Sequence, residues 1–364
     1  MMKIYCQPNG GISFIPDIQD LGDLKIFGCS TPADYNDGAV LYNSTPNAPT
    51  VIVQEIEIFH PDFVLIETFS PLMVAGLQRV RTIYKRPIVG FWGDCVTNAH
   101  TLNVLARAGR YCDLLLVVDK PAELALRAKG VNAEFTLQPA AGSIYKYEPD
   151  AKKIYDLVMA GNPYTPQRKT NATQRVELAR LFSKRPGFAV FGREDWFKYG
   201  IDTKGWVNEY KLAKIYNQTK IVLSCDYIID RLYFTSVRTY NVMCCGAFLL
   251  IRKFLGIEDL FVNKKHLVWY ETNEEAEMLV DYYLAHEEER QEIAHAGMEY
   301  VHQKALKHDL FSMWMSRVYN SQCKQLSAVT RMGDSFWLMG NYAKSSLLQL
   351  VQSCIVKYLR RKIG

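Results

Sequence analysis

Up to about residue 145, short apolar runs alternate with segments of helical spacing. Lys3–Cys6, Leu24–Phe27, Phe63–Ile66, Pro87–Phe91 and Leu114–Val118 are β-rich and apolar at successive positions. That is the pattern of strands covered on both faces rather than on one. Between them, Ser70-Pro71 supplies a cap and a first-turn proline for a helix through Lys85, a second helix follows Asn98, and a third runs from Pro121 to Lys129, where Gly130 stops it. Apolar strands separated by helices predict a doubly wound parallel sheet.

The pattern breaks at Tyr147-Glu148-Pro149-Asp150 and then begins again. Ile154–Ala160 reads as a strand ending in Gly161-Asn162-Pro163, followed by a helix around Thr173–Phe182 and by strands at Phe188–Phe191, Lys220–Cys225 and Ala247–Ile251, the last after a helix that starts near Ser236. Thr272-Asn273-Glu274-Glu275 is a capping box for a helix through Leu284, and His286 to Tyr300 is helical with three glutamates in its first turn. The fold class expected is therefore α/β, two facing Rossmann-like domains spanning residues 1–150 and 151–320, with a helical segment over 321–364. Such pairs bind ligands in the cleft between them, at the carboxyl ends of the strands.

Composition narrows the function classes. The chain has 364 residues, 22% charged and 12% aromatic, with a mean hydropathy of −0.11, as a globular protein does. No apolar run approaches the roughly 20 residues of a spanning helix, and the start lacks a basic-then-apolar leader. The nine cysteines form no CxxC pair, which points to reduced thiols in a cytoplasmic protein rather than a disulfide frame or a zinc site. The net charge is +5, but from Lys324 onward seven basic residues face one acid, so that tail carries +6 and the rest −1. A broad basic face for nucleic acid is not expected. The last twenty residues place Leu347, Leu348, Val351, Cys354, Ile355, Tyr358 and Leu359 on one stripe closed by Arg360-Arg361-Lys362. This reads either as a helix packed back on the body or as a peripheral membrane anchor.

The densest chemical signal lies between Tyr216 and Leu250. Ser236 to Gly246 reads as a helix start, a short helix and a glycine stop before a buried strand. A helix start presents unpaired N–H groups and partial positive charge, which suits a phosphate, and Arg238 sits in that first turn.

Arg238-x-Tyr-Asn-x-x-Cys-Cys-Gly-Ala-Phe-Leu resembles the Arg-x-Phe-Glu-x-x-Ala-Cys-Gly-Ala-Phe-Leu signature of CgeB-like (spore maturation protein) glycosyltransferases, themselves similar to the retaining GT-B transferases of family four. The resemblance extends through Leu260-Phe and Glu289–Gly297, and back to Val158–Asn162, Arg168, Val190–Gly192 and Tyr216-x3-Lys220. It covers nearly all of 155–318 and is only architectural over 1–150.

The resemblance implies a GT-B fold and a glycosyltransferase of hexosyl type, retaining and metal-independent, acting without a cofactor. Its partners would be a UDP- or GDP-linked sugar as donor and a glycan, lipid-linked or protein acceptor. Gly161 and Asn162 would form the turn against the donor diphosphate, Arg168 and Lys220 would face it as cations, and Ser236 and Arg238 would meet it at the helix start. Tyr216 and Trp206 would line the donor site, Trp206 by stacking on the base, and Gly246 would allow close approach of the chain. Asn241 stands where the family has a ribose-binding glutamate, and Tyr233 where its earlier acidic partner falls, so charge assistance is lost there. This departure leaves open a catalytically silent GT-B protein with an assembly or sugar-binding role, and the architecture also admits a sugar-nucleotide epimerase. On the acceptor side the candidates for catalysis are Asp94, then His100, then Glu67, each near a strand end of the first domain. In retaining transferases of this fold, the donor's own phosphate oxygen is thought to take the acceptor proton, which would make a protein base unnecessary.

Overall fold

The computed structural model describes residues 1–9, 15–29, 38–163 and 172–319, together with Asp334 and Trp337. The Arg168 and the tail expectations fall on residues outside this set.

Two all-parallel sheets account for the alternating pattern. The first contains β1 (Lys3–Gln7), β2 (Asp23–Ile26), β3 (Phe63–Ile66), β4 (Ile88–Trp92), β5 (Leu114–Val117) and β6 (Ala133–Phe135), in the spatial order β2-β1-β3-β4-β5-β6. The second contains β7 (Tyr155–Ala160), β8 (Phe188–Phe191), β9 (Thr219–Ser224), β10 (Phe248–Arg252) and β11 (Val268–Tyr270), in the order β11-β10-β9-β7-β8. Both orders reverse direction once, at β1/β3 and at β7/β9. In open α/β sheets the crevice outside such a reversal is where ligands sit.

The inner strands are the most apolar because helices cover both faces: all four side chains of β3 and of β5 are buried. Three helix starts, at Ser70, Asn98 and Thr272, follow the sequence, and Asp119 adds a cap to the helix expected from Pro121. The Ser70, Asn98, Asp119 and Thr272 side chains each accept a backbone N–H of the first turn, which satisfies one of the donors that a helix start leaves open.

The lobes are tied by two crossings of the chain. The linker after β6 is held by Ala141 N–H on Asn241 Oδ1 at 3.2 Å and by Glu148 N–H on Asn217 Oδ1 at 2.8 Å. The return crossing pairs Ala140 with residues 305 and 307. Beyond it, helix Lys307–Tyr319 packs on the first sheet although it follows the second in sequence. Phe311, Trp314, Met315 and Val318 share a core with β1, β3 and β4, and Trp314 stacks on Phe91 at 6.3 Å. Asp334 and Trp337 also rest on the first lobe, through Arg107 and Tyr111.

Candidate functional site

The turn after β7 brings bare backbone to the crevice of the second sheet. Gly161 has φ +134°, and a Cβ there would stand 2.9 Å from the Arg238 guanidinium. Gly192, after β8, is closed in the same way, since its Cβ would fall 2.2 Å from the Gly161 carbonyl oxygen. Only glycine serves at Gly161, for both its dihedral angle and its space.

Opposite this turn stands helix Val237–Cys244. Its cap residue Ser236 does not close the start with its side chain; the Ser236 hydroxyl instead accepts from Arg238 Nη1 at 3.2 Å. Asp226, fully buried just past β9, organises the corner. Its Oδ2 accepts from Thr235 Oγ1 at 2.6 Å and from Ser236 N–H at 3.0 Å, while its Oδ1 faces Arg238 at 3.8 Å and Arg175 at 4.0 Å. Arg175 is itself buried and is fixed by the Cys225 and Asn162 carbonyls at 2.7 and 3.1 Å. Two guanidiniums and a helix start thus gather around a single carboxylate, leaving the corner positive and suited to an anion.

This corner forms one wall of a cavity of about 620 Å³ lined by Gly161, Asn162, Trp206, Tyr216, Arg238 and Asn241, among others. Trp206 stands at its mouth, 70% exposed, and Tyr216 is fully buried in it, its phenol raised by burial. Asn241, 4% exposed, lines the same space with its amide oxygen engaged by Ala141 N–H. The position of the family glutamate is therefore occupied here by a neutral side chain that also holds the linker.

Ser236, Val237 and Arg238 continue into a second cavity of about 400 Å³ between the lobes, whose far wall is Asn9, Glu67, Asp94, Gln138 and Lys307. Asp94 is exposed, and its Oδ1 accepts from Cys95 N–H at 2.7 Å and, across the lobes, from the Tyr227 hydroxyl at 2.8 Å. Glu67, 8% exposed at the carboxyl end of β3, accepts from Asn9 N–H at 3.2 Å. Burial pushes its carboxyl up to about 7, against the opposing pull of the Lys307 ammonium and the Asn9 amide.

Three expected residues lie elsewhere. Lys220 opens β9, so it sits at the amino-terminal edge of the second sheet, paired with Asp156 at 2.7 Å. Gly246 precedes β10 on that same edge, and both line a separate cavity of about 580 Å³ with Lys153 and Arg290. In a parallel sheet the strand starts and strand ends lie on opposite sides, so neither residue reaches the Gly161 turn, and the diphosphate grip expected from Lys220 does not form. His100, in the first turn of helix Ala99–Gly109, is exposed and is absent from the lining of the interlobe cavity.

Asp226, Arg175, Tyr227 and Lys307 were not anticipated. Two of them carry a signal in the sequence. Arg175 falls on the apolar stripe of its helix with Leu178, Ala179 and Phe182, where a charge needs buried partners, and Asp226 is an acid placed directly after an apolar strand. Lys307 carries none, because its position depends on the return crossing.

Residues 168–310 match the family described as glycosyl transferase-like. No curated protein matches the chain. Among solved structures, HepE of Anabaena in complex with UDP-glucose superposes with a TM-score of 0.61 at 14% identity, over 87% of this chain and 99% of that one. Sucrose-phosphate synthase of Thermosynechococcus elongatus gives 0.63 at 11%, over 88% and 98%. A putative UDP-N-acetylglucosamine 2-epimerase of Listeria monocytogenes gives 0.53 at 11%, over 90% and 100%. The chain has the GT-B fold, with a glycosyl transferase-like segment over most of its second lobe. Among the described residues no helix is long and apolar enough to cross a membrane.

Proposed function

We propose that the protein is a glycosyltransferase that moves a hexosyl group from a UDP- or GDP-linked donor to an acceptor hydroxyl. The observation that carries this reading is that Ser236, Val237 and Arg238 line both cavities: a positive corner suited to an anion borders a second cavity whose far wall carries Glu67 and Asp94 of the other lobe. HepE is described in complex with UDP-glucose, and its shared fold supports the same class of donor here. The nucleoside diphosphate would lie against Gly161 and the start of helix Val237–Cys244, with the base toward Trp206. Arg238 and the helix dipole would take up the charge that develops on the leaving phosphate, an electrostatic role that needs no metal ion. Retention of the anomeric configuration and a glycan, lipid-linked or protein acceptor complete the proposal.

Calorimetric titration with UDP and GDP, each with 1 mM EDTA present (roughly a hundredfold over trace metal, so that free metal stays far below any useful Kd), tests it. Micromolar binding of one of them is expected, weakened by roughly tenfold to a hundredfold in Arg238→Ala, as loss of a charged hydrogen bond of about 1.5–3 kcal/mol requires. Absence of binding by either nucleotide overturns the reading. Turnover of the free nucleotide sugar into its epimer would move the assignment to the epimerases.

A further inference from the structure

We propose that Asp226 sets how readily the nucleoside diphosphate leaves. Its buried negative charge, shared between Arg175 and Arg238, holds the grip of the anion corner below what two guanidiniums alone would give. This role rests on the glycosyl-transfer reading above, and it makes Asp226 a positioning residue for a ligand that it does not touch.

Asp226 stands behind the cavity wall rather than in it. It is fully buried just past β9, and it is absent from the lining of both the cavity beside Gly161 and the interlobe cavity. Arg175, 2% exposed, is hidden in the same way. Of the three charged side chains, Arg238 is the one that lines both cavities.

The two oxygens of Asp226 are used differently. Oδ2 accepts from the Thr235 hydroxyl at 2.6 Å and from the Ser236 N–H at 3.0 Å, so it fixes the segment that opens helix Val237–Cys244. Oδ1 accepts no hydrogen bond among the described residues. It stands 3.8 Å from Arg238 Nη1 and 4.0 Å from Arg175 Nη2, outside hydrogen-bond reach of either but well within reach of their charge. A buried carboxylate oxygen left without a bond is costly. An asparagine could accept the same two donors through its amide oxygen without a buried charge. What the carboxylate adds is therefore its charge.

That charge is set directly behind the place where a diphosphate would lie. Arg238 Nη1 donates to the Ser236 hydroxyl at 3.2 Å, and Nη2 reaches the glycine turn, where a Cβ on Gly161 would stand 2.9 Å from it. The Arg238 fork thus runs from the buried carboxylate to the bare backbone of the cavity. With Asp226 ionised the three side chains carry a single positive charge, and without it they carry two. A nucleoside diphosphate released from its sugar bears more negative charge than the same group in the donor, because the terminal phosphate gains an ionisable oxygen. A strongly positive corner therefore holds product more tightly than donor, and product release limits many transferring enzymes. Asp226 lowers that difference.

Calorimetry of Asp226→Asn with inorganic pyrophosphate, UDP, UDP-glucose and uridine (or the guanosine set, where wild type prefers it) tests this. Pyrophosphate and UDP should bind roughly tenfold to a hundredfold more tightly, the scale of one charge acting over about 7 Å at an effective dielectric near 20. UDP-glucose should gain less, and uridine should stay within about twofold, since it carries no phosphate. The UDP dissociation rate, followed by stopped-flow tryptophan fluorescence, should fall by about the factor that the affinity gains. Removing one member of a buried ion cluster can unfold a chain, so Arg175→Gln/Asp226→Asn, which removes opposite charges together, is also compared with Arg175→Gln. The step to asparagine should tighten pyrophosphate binding there as well. Pyrophosphate affinity that stays level or weakens in both comparisons, a gain shared equally by uridine, or an unchanged UDP dissociation rate overturns the proposal and leaves the transferase reading standing. If wild type binds neither UDP nor GDP, both fall.

Discussion

The two lobes share an architecture and differ in how they assemble chemistry. In the second lobe the charged groups of the positive corner all come from segments that follow its own strands: Arg175 on the helix after β7, Asp226 just past β9, and Arg238 on the helix that leads into β10. In the first lobe, Glu67 and Asp94 also end strands, but the cation between them and the second lobe is Lys307, delivered by a helix that enters only after the second sheet is complete. The second lobe can therefore arrange its anion corner by itself, whereas the first lobe's wall gains its cation, Lys307, only when the return crossing is made. Nucleotide binding and acceptor-side chemistry should be separable by mutation.

The largest expected effect tests that separation through packing. Trp314 is 1% exposed and touches Phe91, which lines the interlobe cavity, and Phe311 at 4.9 Å. Trp314→Ala should cost about 3–5 kcal/mol, the transfer free energy of the ring plus the cavity it leaves. Because the helix serves the first core, calorimetry should show a transition split or shifted to lower temperature, with UDP affinity at 15 °C (a temperature of about maximum stability for many domains) unchanged. An equal loss of UDP affinity would mean that the lobes do not divide the work in this way.

How much of this could be read from the chain follows the same division. The strands of both sheets emerge from apolar runs, and caps such as Ser70, Asn98 and Thr272 act as their residue types predict. The three-residue edge strands β6 and β11 are too short to show a period. Helix Ala48–Phe59 is rich in β-branched residues, and only the burial of Ile52 and Ile56, one turn apart, reveals its face. At the site, Gly161, Asn162, Ser236 and Arg238 were legible because one strand end and one helix start define them. Lys220 is assigned by the resemblance, although its place at the start of the strand Lys220–Cys225 already puts it on the amino-terminal edge of a parallel sheet, away from the Gly161 turn. Asn241 lines the cavity where the family signature puts it, but its bond to Ala141 belongs to a tertiary contact that no local pattern encodes.

A middle-sized effect concerns stability and sharpens the contrast between the lobes. Glu67 holds its proton up to about 7 in the fold, against an ordinary value near 4.3 in an unfolded chain. A carboxyl raised by folding favours the native state most at low pH, below its unfolded value, and that contribution is lost as pH rises through about 7. Glu67→Gln resembles the protonated acid at every pH. It should therefore be more stable than wild type at pH 8 by about 3 kcal/mol, with the gap closing below roughly pH 4.5. Denaturant titrations at both pH values measure this, and a constant gap would place the origin of the effect outside Glu67 ionisation.

The smallest effect lies at the mouth of the cavity beside Gly161 and Arg238. Trp206 is 70% exposed, so Trp206→Ala should leave folding stability within about 0.5 kcal/mol. If the indole stacks on the base, UDP affinity should fall by roughly 1 kcal/mol, about fivefold. Inorganic pyrophosphate, which carries the anionic part of the ligand without a base, separates two causes. Its affinity should be unchanged in Trp206→Ala, because the phosphate corner of Arg238 and the helix start lies deeper in the cavity wall and is built without Trp206. An equal loss for UDP and pyrophosphate would instead make Trp206 a support for the loop that carries it, and the base would then have to be recognised elsewhere along the cavity.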